Sequence, residues 1–141
     1  MQTRRTRERY FTPAEANAAL PALRAAAEAA RTSSRERQDL LDRLRGDREL
    51  LPHARRSAAR EAERLRQEVH MRLDEIAEAG AEVVGLRSLR IAFPALRDGL
   101  EVALDWKEGE PRVVFWRPPY GDKENRNYII SPESSRWTWS H

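Results

Sequence analysis

The feature that most constrains this sequence is a change of residue type near Gly80. Before this glycine the chain is rich in Ala, Arg, Glu and Leu, whereas all four tryptophans and most of the β-branched residues come after it. Helical patterning followed by strand patterning is typical of an α+β fold. With 141 residues, the chain is long enough for about one domain. We therefore predict a single domain, 1–141, with a helical first half and a β-rich second half.

The first half predicts two long helices. Apolar residues recur at alternating spacings of three and four positions in two stretches, 20–44 and 58–76, and this spacing forms a narrow apolar seam along a helix. A glycine and a proline interrupt the pattern between residues 46 and 52, so a short connection separates the helices. We predict an antiparallel hairpin of coiled-coil type over residues 12–79. Because each seam is thin, we expect the hairpin to need the rest of the chain or a second copy.

The start of the first helix carries an explicit signal. Thr12 and Glu15 have the spacing of a capping box, and Pro13 stands where a helix needs no N–H donor. Pro21 lies well inside the helix, where a missing backbone hydrogen bond predicts a kink. Asn17 stands where a plain helix would favour alanine, and we predict that its side chain binds a backbone group.

The chain after Gly80 predicts an antiparallel sheet of three strands, formed by "SLRIAF", "LEVALDW" and "PRVVFW". In the middle strand Val102, Leu104 and Trp106 point to one face and their neighbours point to the other. This alternation predicts a sheet that is covered by the hairpin on one face. We assign the β meander to residues 80–130, within which "NYIIS" is a candidate edge strand, and a tail to 131–141, for which we leave disorder open.

The order of these segments resembles an uncharacterised prokaryotic family, the domain of unknown function 2203. The resemblance rests on "YFTPAEANAALPALR", a long charged helical middle, the glycine at 80, and then "FPALRDGLEVALDW", "GE" and "VVFW". It extends to about Trp116. It implies the architecture described above and no activity.

The chain also departs from the pattern of that family at three positions. Members usually have His after the tryptophan where this chain has Arg117, often have an acidic residue where it has Ala92, and often have Cys where it has Asp105. If relatives use such a His and acid for a metal or a reaction, this chain has lost them.

The chain has little net charge for its many ionic residues. It contains 26 basic and 23 acidic residues, a formal charge of +3. The net positive charge lies in an N-terminal arm, 1–11, which contains the sequence "RRTRER". A basic arm is a candidate for phosphate contacts in a nucleic acid, and its candidate contact residues are Arg4, Arg5, Arg7 and Arg9.

Familiar catalytic and metal-binding patterns do not occur in the sequence. There is no cysteine, and no two of the three histidines have the spacing of metal ligands. The glycines are scattered rather than gathered in a phosphate-binding loop, and no serine is set in a nucleophile elbow. We therefore predict no catalytic residues, no metal and no cofactor. The sequence does not decide whether the protein is an enzyme, but these observations argue against one.

The best candidate for a binding site is a set of residues at and after the ends of two predicted strands. It consists of Trp106, Trp116, Arg117, Tyr120 and Arg126. Tryptophan and arginine together can stack on and pin a flat anionic ligand or a nucleic-acid base. The alternative interpretation is that the tryptophans seal the sheet against the hairpin and that Arg117 covers one of their rings.

From these patterns we predict a non-catalytic protein-interaction or scaffold module that self-associates through its helices as a homodimer. The first alternative is a nucleic-acid-binding protein that uses the arm. The second is a small anionic-ligand binder at the tryptophan and arginine residues. The sequence has no apolar stretch of membrane-spanning length, and we expect a cytoplasmic protein with no membrane partner.

Overall fold

The computed structural model of the protein describes residues 9–137. Two helices precede an antiparallel sheet, so the fold is α+β, and the two helices form a hairpin. The elements are α1 (Pro13–Gly46), α2 (Pro52–Glu78), β1 (Glu82–Gly85), β2 (Arg90–Arg97), β3 (Leu100–Lys107), β4 (Phe115–Arg117), β5 (Asn127–Tyr128) and a short 3-10 helix (Ser135–Trp137). Within the described ranges, no helix is both long enough and apolar enough to cross a membrane.

The sheet has five strands, so the prediction of three strands is wrong. Its order is β1-β2-β3-β4-β5, and all neighbours are antiparallel. The strand β1 has four residues and a register shift at its pairing with β2. The strand β5 has two residues and lies at the edge of the sheet within "NYIIS", so the candidate edge strand is confirmed. A strand as short as β1 carries too little alternation to stand out in a sequence.

A capping box starts α1. The backbone N–H of Glu15 donates to Oγ1 of Thr12 at 3.2 Å, and the N–H of Thr12 donates to the Glu15 carboxylate at 2.9 Å. The helix runs through Pro21 without a break, and the predicted kink at that residue stays a prediction.

Asn17 connects α1 to the segment that leads into β4. Its Oδ1 accepts a hydrogen bond from the backbone N–H of Val113 at 2.7 Å, and its Nδ2 donates to the carbonyl of Val113 at 3.1 Å. The same Nδ2 donates to the carbonyl of Pro13 at 3.0 Å. Val113 is buried, so its backbone N–H and carbonyl need hydrogen-bond partners. The side chain of Asn17 provides them in place of a neighbouring strand.

The hairpin packs on one face of the sheet, which we call the inner face. Apolar side chains of β2 and β3 meet α1 and α2 in a single core. The inner-face members from the strands are Ile91, Phe93, Ala95, Val102, Leu104 and Trp106, and the helical members include Leu20, Leu23 and Ile76. The predicted covered face of β3 is therefore this inner face.

The opposite face of the sheet, which we call the outer face, is also buried along β2 and β3. Ala92, Pro94, Ala103 and Asp105 are all buried, so the expectation of a single covered face is wrong. The sequence of β3 does not reveal the burial of the outer face, because Asp105 is polar and a polar residue between apolar ones predicts a solvated face.

The chain ends of the described region lie against the sheet. The N–H of Phe11 donates to the carbonyl of Pro94 at 2.7 Å, and the ring of Phe11 meets that of Phe93 edge-on at 5.1 Å. From the segment predicted as a tail, Trp137 inserts into the core and is 2% exposed. The described part of that segment therefore contributes to folding.

Candidate functional site

Strand register brings charged residues from distant parts of the sequence together on the outer face. Asp105 on β3 pairs with Ala92 on β2 and with Phe115 on β4, while Arg117 on β4 pairs with Ala103. Residues that pair directly share a face of the sheet. The charged residues that meet around Asp105 are Arg90, Glu110, Arg117 and Arg126, and we call these five residues the arginine cluster.

Asp105 is the centre of the arginine cluster and is fully buried, with 0% of its surface exposed. Arg90 binds it in a fork, from Nε to Oδ1 at 3.0 Å and from Nη2 to Oδ2 at 2.9 Å. Arg126 donates its Nε to Oδ2. Both oxygens of the carboxylate are therefore hydrogen-bonded to guanidinium groups, which is the arrangement that a buried carboxylate requires.

Glu110 holds the other end of Arg126. Its Oε2 accepts from Nη1 of Arg126 at 2.7 Å, and its Oε1 accepts from Nη2 at 2.9 Å. Oε1 also accepts the backbone N–H of Lys107 at 2.9 Å, within the turn that follows β3. The guanidinium of Arg126 lies 4.1 Å above the ring of Phe115. The turn and β4 therefore hold this arginine between two carboxylates and an aromatic face.

Burial and hydrogen bonding act in opposite directions on the acids of the cluster. Burial raises the pKa of Asp105, but hydrogen bonds from Arg90 and Arg126 outweigh it and hold the pKa below its ordinary value of 3.8. Burial likewise raises the pKa of Glu110, and Arg126 and the backbone N–H of Lys107 lower it below 4.5. Both groups are therefore ionised at neutral pH.

The cluster is suited to holding charge in place rather than to moving protons. Both oxygens of Asp105 and both oxygens of Glu110 accept hydrogen bonds from arginine, so neither acid has the environment of a general base poised near neutral pH. In residues 9–137 no group of three or more His, Asp and Glu side chains is arranged to hold a metal ion.

The five residues predicted as a site are divided between the two faces of the sheet. Trp106 is in the core and is 1% exposed, and Trp116 packs partly against the same core on the inner face. Arg117 and Arg126 lie on the outer face in the arginine cluster. Tyr120 is in the loop after β4 and is largely exposed.

A different arginine covers the ring of Trp116. The guanidinium of Arg97, on β2, lies 4.4 Å from the ring centre, whereas Arg117 points to the opposite face with Asp105. The contact that the sequence alternative gave to Arg117 is therefore made by Arg97, from a strand that is separated from β4 by β3. Among the predicted site residues, the structure brings Arg117 and Arg126 together around a shared acid.

Sequence reasoning missed three members of the cluster, Asp105, Arg90 and Glu110. An aspartate in the middle of a strand is itself a signal, because strands are depleted in Asp. The partners of that aspartate had no such signal, since Arg90 is 15 residues and Arg126 is 21 residues away along the chain. Only the strand register brings them together.

The three departures from the resembled family also lie side by side. Ala92 pairs with Asp105 across β2 and β3, and Nε of Arg117 is 3.5 Å from Oδ1 of Asp105. The three departures therefore change one place in the fold. In this chain that place contains a methyl group, a carboxylate and a guanidinium.

Most of the predicted nucleic-acid contacts lie outside the described residues, namely Arg4, Arg5 and Arg7. Arg9 is described, and its guanidinium lies 4.2 Å from the ring centre of Phe11. A Cβ atom at Gly80 would come within 3.2 Å of Cδ of Arg9, and the φ of Gly80 is +100°. Arg9 therefore packs beside the glycine that follows α2. Nucleic-acid binding by the arm stays a prediction.

Comparison with curated proteins and with solved structures found no match. The profile of one family, described as an uncharacterised conserved protein and designated DUF2203, matches residues 9–127. The match includes the start of α1, the hairpin, the sheet as far as β5 and every member of the arginine cluster. The chain therefore belongs to the DUF2203 family.

Proposed function

We propose that this protein is a non-catalytic interaction module that self-associates as a homodimer through the half of the hairpin next to the connection between the two helices. We call this part the distal hairpin and define it as residues 31–46 of α1 and 52–66 of α2. The observation that carries the proposal is that burial in α1 stops at Ala30. Every residue from 31 to 46, all of them described, is half-buried or exposed, over a length of about 24 Å.

The apolar contact within the distal hairpin is thin. On α2 its buried residues are Ala58, Ala62 and Leu65, two of which have only a methyl group. On α1 the leucines at 40, 41 and 44 stay half-exposed. Two helices make one layer, and stable domains bury apolar surface between at least two layers. A second hairpin packed on this surface would supply the missing layer.

A polar group in the seam also supports the proposal. The Nε of Arg37 is buried and has no hydrogen-bond partner among the described residues. Arg66 and, to a smaller extent, Arg37 lower the pKa of Glu63 on α2, so the charge of Arg37 acts on the neighbouring helix. A buried donor needs an acceptor, and a carboxylate from a second hairpin would provide one. A polar residue in a helical seam also restricts register and partner number.

Light scattering coupled to size exclusion tests this proposal on the full chain at micromolar concentration. The wild type is expected at the mass of a dimer. A Leu40→Ser, Leu44→Ser double variant is expected at the mass of a monomer, because it removes half-exposed apolar surface of the distal hairpin. The matched control is Arg43→Ser, an exposed position on the same helix, which should stay dimeric. A monomeric wild type would overturn the proposal.

A spin label separates loss of association from local unfolding. The chain has no cysteine, so a single Arg43→Cys label reports distances between copies. The proposal expects a defined dipolar distance that disappears on dilution with unlabelled protein. A label that shows no dipolar coupling in the undiluted sample would contradict association through the distal hairpin.

A further inference from the structure

Arg117 differs from the other arginines of the cluster in its partners. Arg90 and Arg126 each donate two or more hydrogen bonds to carboxylates. The Nε of Arg117 is 3.5 Å from Oδ1 of Asp105, an ion-pair distance that is too long for a good hydrogen bond. Within the part of the chain that the structure describes, this buried Nε has no hydrogen-bond partner. Nη1 of Arg117 donates to the carbonyl of Pro118 at a long 3.4 Å.

This arrangement is costly for a guanidinium. The side chain of Arg117 is only 6% exposed, so bulk water solvates little of it. Arginine does not lose its proton in a protein, and a buried guanidinium N–H without an acceptor is unfavourable. Buried donors without protein partners are usually satisfied by an ordered water or an ion.

The balance of charge favours an ion. The cluster contains three arginines and two acids, which leaves one positive charge in excess. Glu124 does not remove this excess at Arg117. Its largely exposed carboxylate contacts Arg90 at 3.0 Å and Lys107 at 3.7 Å. Arg117 has the fewest hydrogen bonds to carboxylates of the three arginines. The excess positive charge of the cluster is therefore assigned to Arg117.

We propose that Arg117 binds a small oxyanion, a phosphate or a carboxylate, at its end of the arginine cluster. The planar guanidinium matches the spacing of two oxygens in either group. Arg117 is the last residue of β4 and leads into the loop 118–121, where Tyr120 and Gly121 are exposed. A bound oxyanion would neutralise the excess charge and accept the hydrogen bonds that Asp105 does not.

Calorimetric titration tests the proposal with two probes, inorganic phosphate and acetate, in chloride buffer at constant ionic strength. The wild type is expected to bind at least one probe saturably, and the preferred probe distinguishes phosphate from carboxylate recognition. Arg117→Gln is expected to weaken that binding at least about tenfold, since hydrogen bonds to a charged group are lost. Arg117→Lys keeps the charge without the fork and should lie between the two.

The matched control is Arg112→Gln, which removes the charge of an exposed arginine before β4 and should bind like the wild type. Equal binding by the wild type and Arg117→Gln would overturn the proposal. So would the absence of saturable binding of both probes by the wild type, since an ordered water would then be the partner of Arg117.

Urea unfolding in chloride buffer distinguishes a binding role from a structural one. If Arg117 awaits an anion, Arg117→Gln should unfold close to the midpoint of the wild type, because Asp105 keeps its hydrogen bonds to Arg90 and Arg126. Arg126→Gln should unfold at a clearly lower midpoint. If both variants lose the same stability, Arg117 is part of the structural cluster and the proposal is wrong.

Discussion

The helix α2 and the outer face of the sheet use the same pair of side-chain types in opposite environments. On α2, Arg64 binds Glu61 at 2.7 Å and Arg66 binds Glu63 at 2.6 Å, with every one of these side chains at least 44% exposed. On the sheet, Asp105 is fully buried and its arginine partners Arg90 and Arg126 are nearly so. The ion-pair distances are similar in the two regions, but the exposure of the side chains to solvent differs.

This difference decides what each group of ion pairs contributes. Water competes for exposed pairs, and holding two long side chains in one geometry costs entropy, so such pairs contribute little to stability. A buried pair is different because removal of one partner leaves the other charge without solvent. We therefore expect the pairs on α2 to keep the surface charged and the arginine cluster to hold β2, β3, β4 and the turn after β3 together.

Asp105→Asn should have the largest effect. The substitution keeps the size of the side chain but leaves the arginines of the cluster without their central anion. We expect the free energy of unfolding to fall by about 3–5 kcal/mol, the usual cost of breaking a buried ion pair. Urea unfolding followed by tryptophan fluorescence measures it. A loss as small as that of an α2 variant would break the comparison between the two regions.

The dependence of stability on pH sharpens the comparison. The folded-state pKa of Asp105 and that of Glu110 lie below their ordinary values, so the stabilisation is complete above about pH 5 and is lost as the pH falls through the folded-state values. We expect the wild type to lose stability below about pH 4, and Asp105→Asn to lose less over the same range. Parallel pH curves for the two proteins would show that Asp105 does not titrate with folding.

Asn17→Ala tests a neutral hydrogen-bonded contact to a buried residue. The variant leaves the N–H and the carbonyl of the buried Val113 without the partners that Asn17 provides. We expect a loss of about 2 kcal/mol, since an unsatisfied buried polar group costs on the order of 1–3 kcal/mol. Urea unfolding measures this loss, and Ala18→Ser, at an exposed neighbouring position, is the control. A loss equal to that of Asp105→Asn would show that burial matters more than charge.

Glu63→Gln on α2 should have the smallest effect. It removes the carboxylate that binds Arg66 without exposing or burying any apolar surface. Because the pair is exposed in the single chain, we expect the urea midpoint, measured at a protein concentration low enough to keep the chain monomeric, to stay within experimental error of the wild type. A clear loss of stability would mean that the ion pairs of α2 act as a connected network.

The sequence predicted the helices better than the sheet. Long stretches with helical spacing and the capping box at Thr12 are local signals, and a local signal can be read without the fold. The prediction that Asn17 binds a backbone group was local as well, but its partner Val113 lies 96 residues away and could not be identified.

The candidate site was predicted only in part for the same reason. Arg117 and Arg126 were named as site residues, but they were grouped with Trp106 and Trp116, which the register places on the inner face. Asp105 was assigned to a solvated face because strand alternation shows polarity and does not show what covers it. Its arginine partners come from β2, from β4 and from the segment just before β5, so no pattern within one segment predicts them.

A pair of double-mutant cycles tests the central claim most directly. One cycle combines Asp105→Asn with Arg126→Gln, and the other combines Glu63→Gln with Arg66→Gln, with the free energy of unfolding measured for each protein. We predict a coupling energy of more than about 1 kcal/mol for the buried pair and no measurable coupling for the pair on α2. Equal coupling energies in the two cycles would contradict the claim that burial decides what these ion pairs contribute.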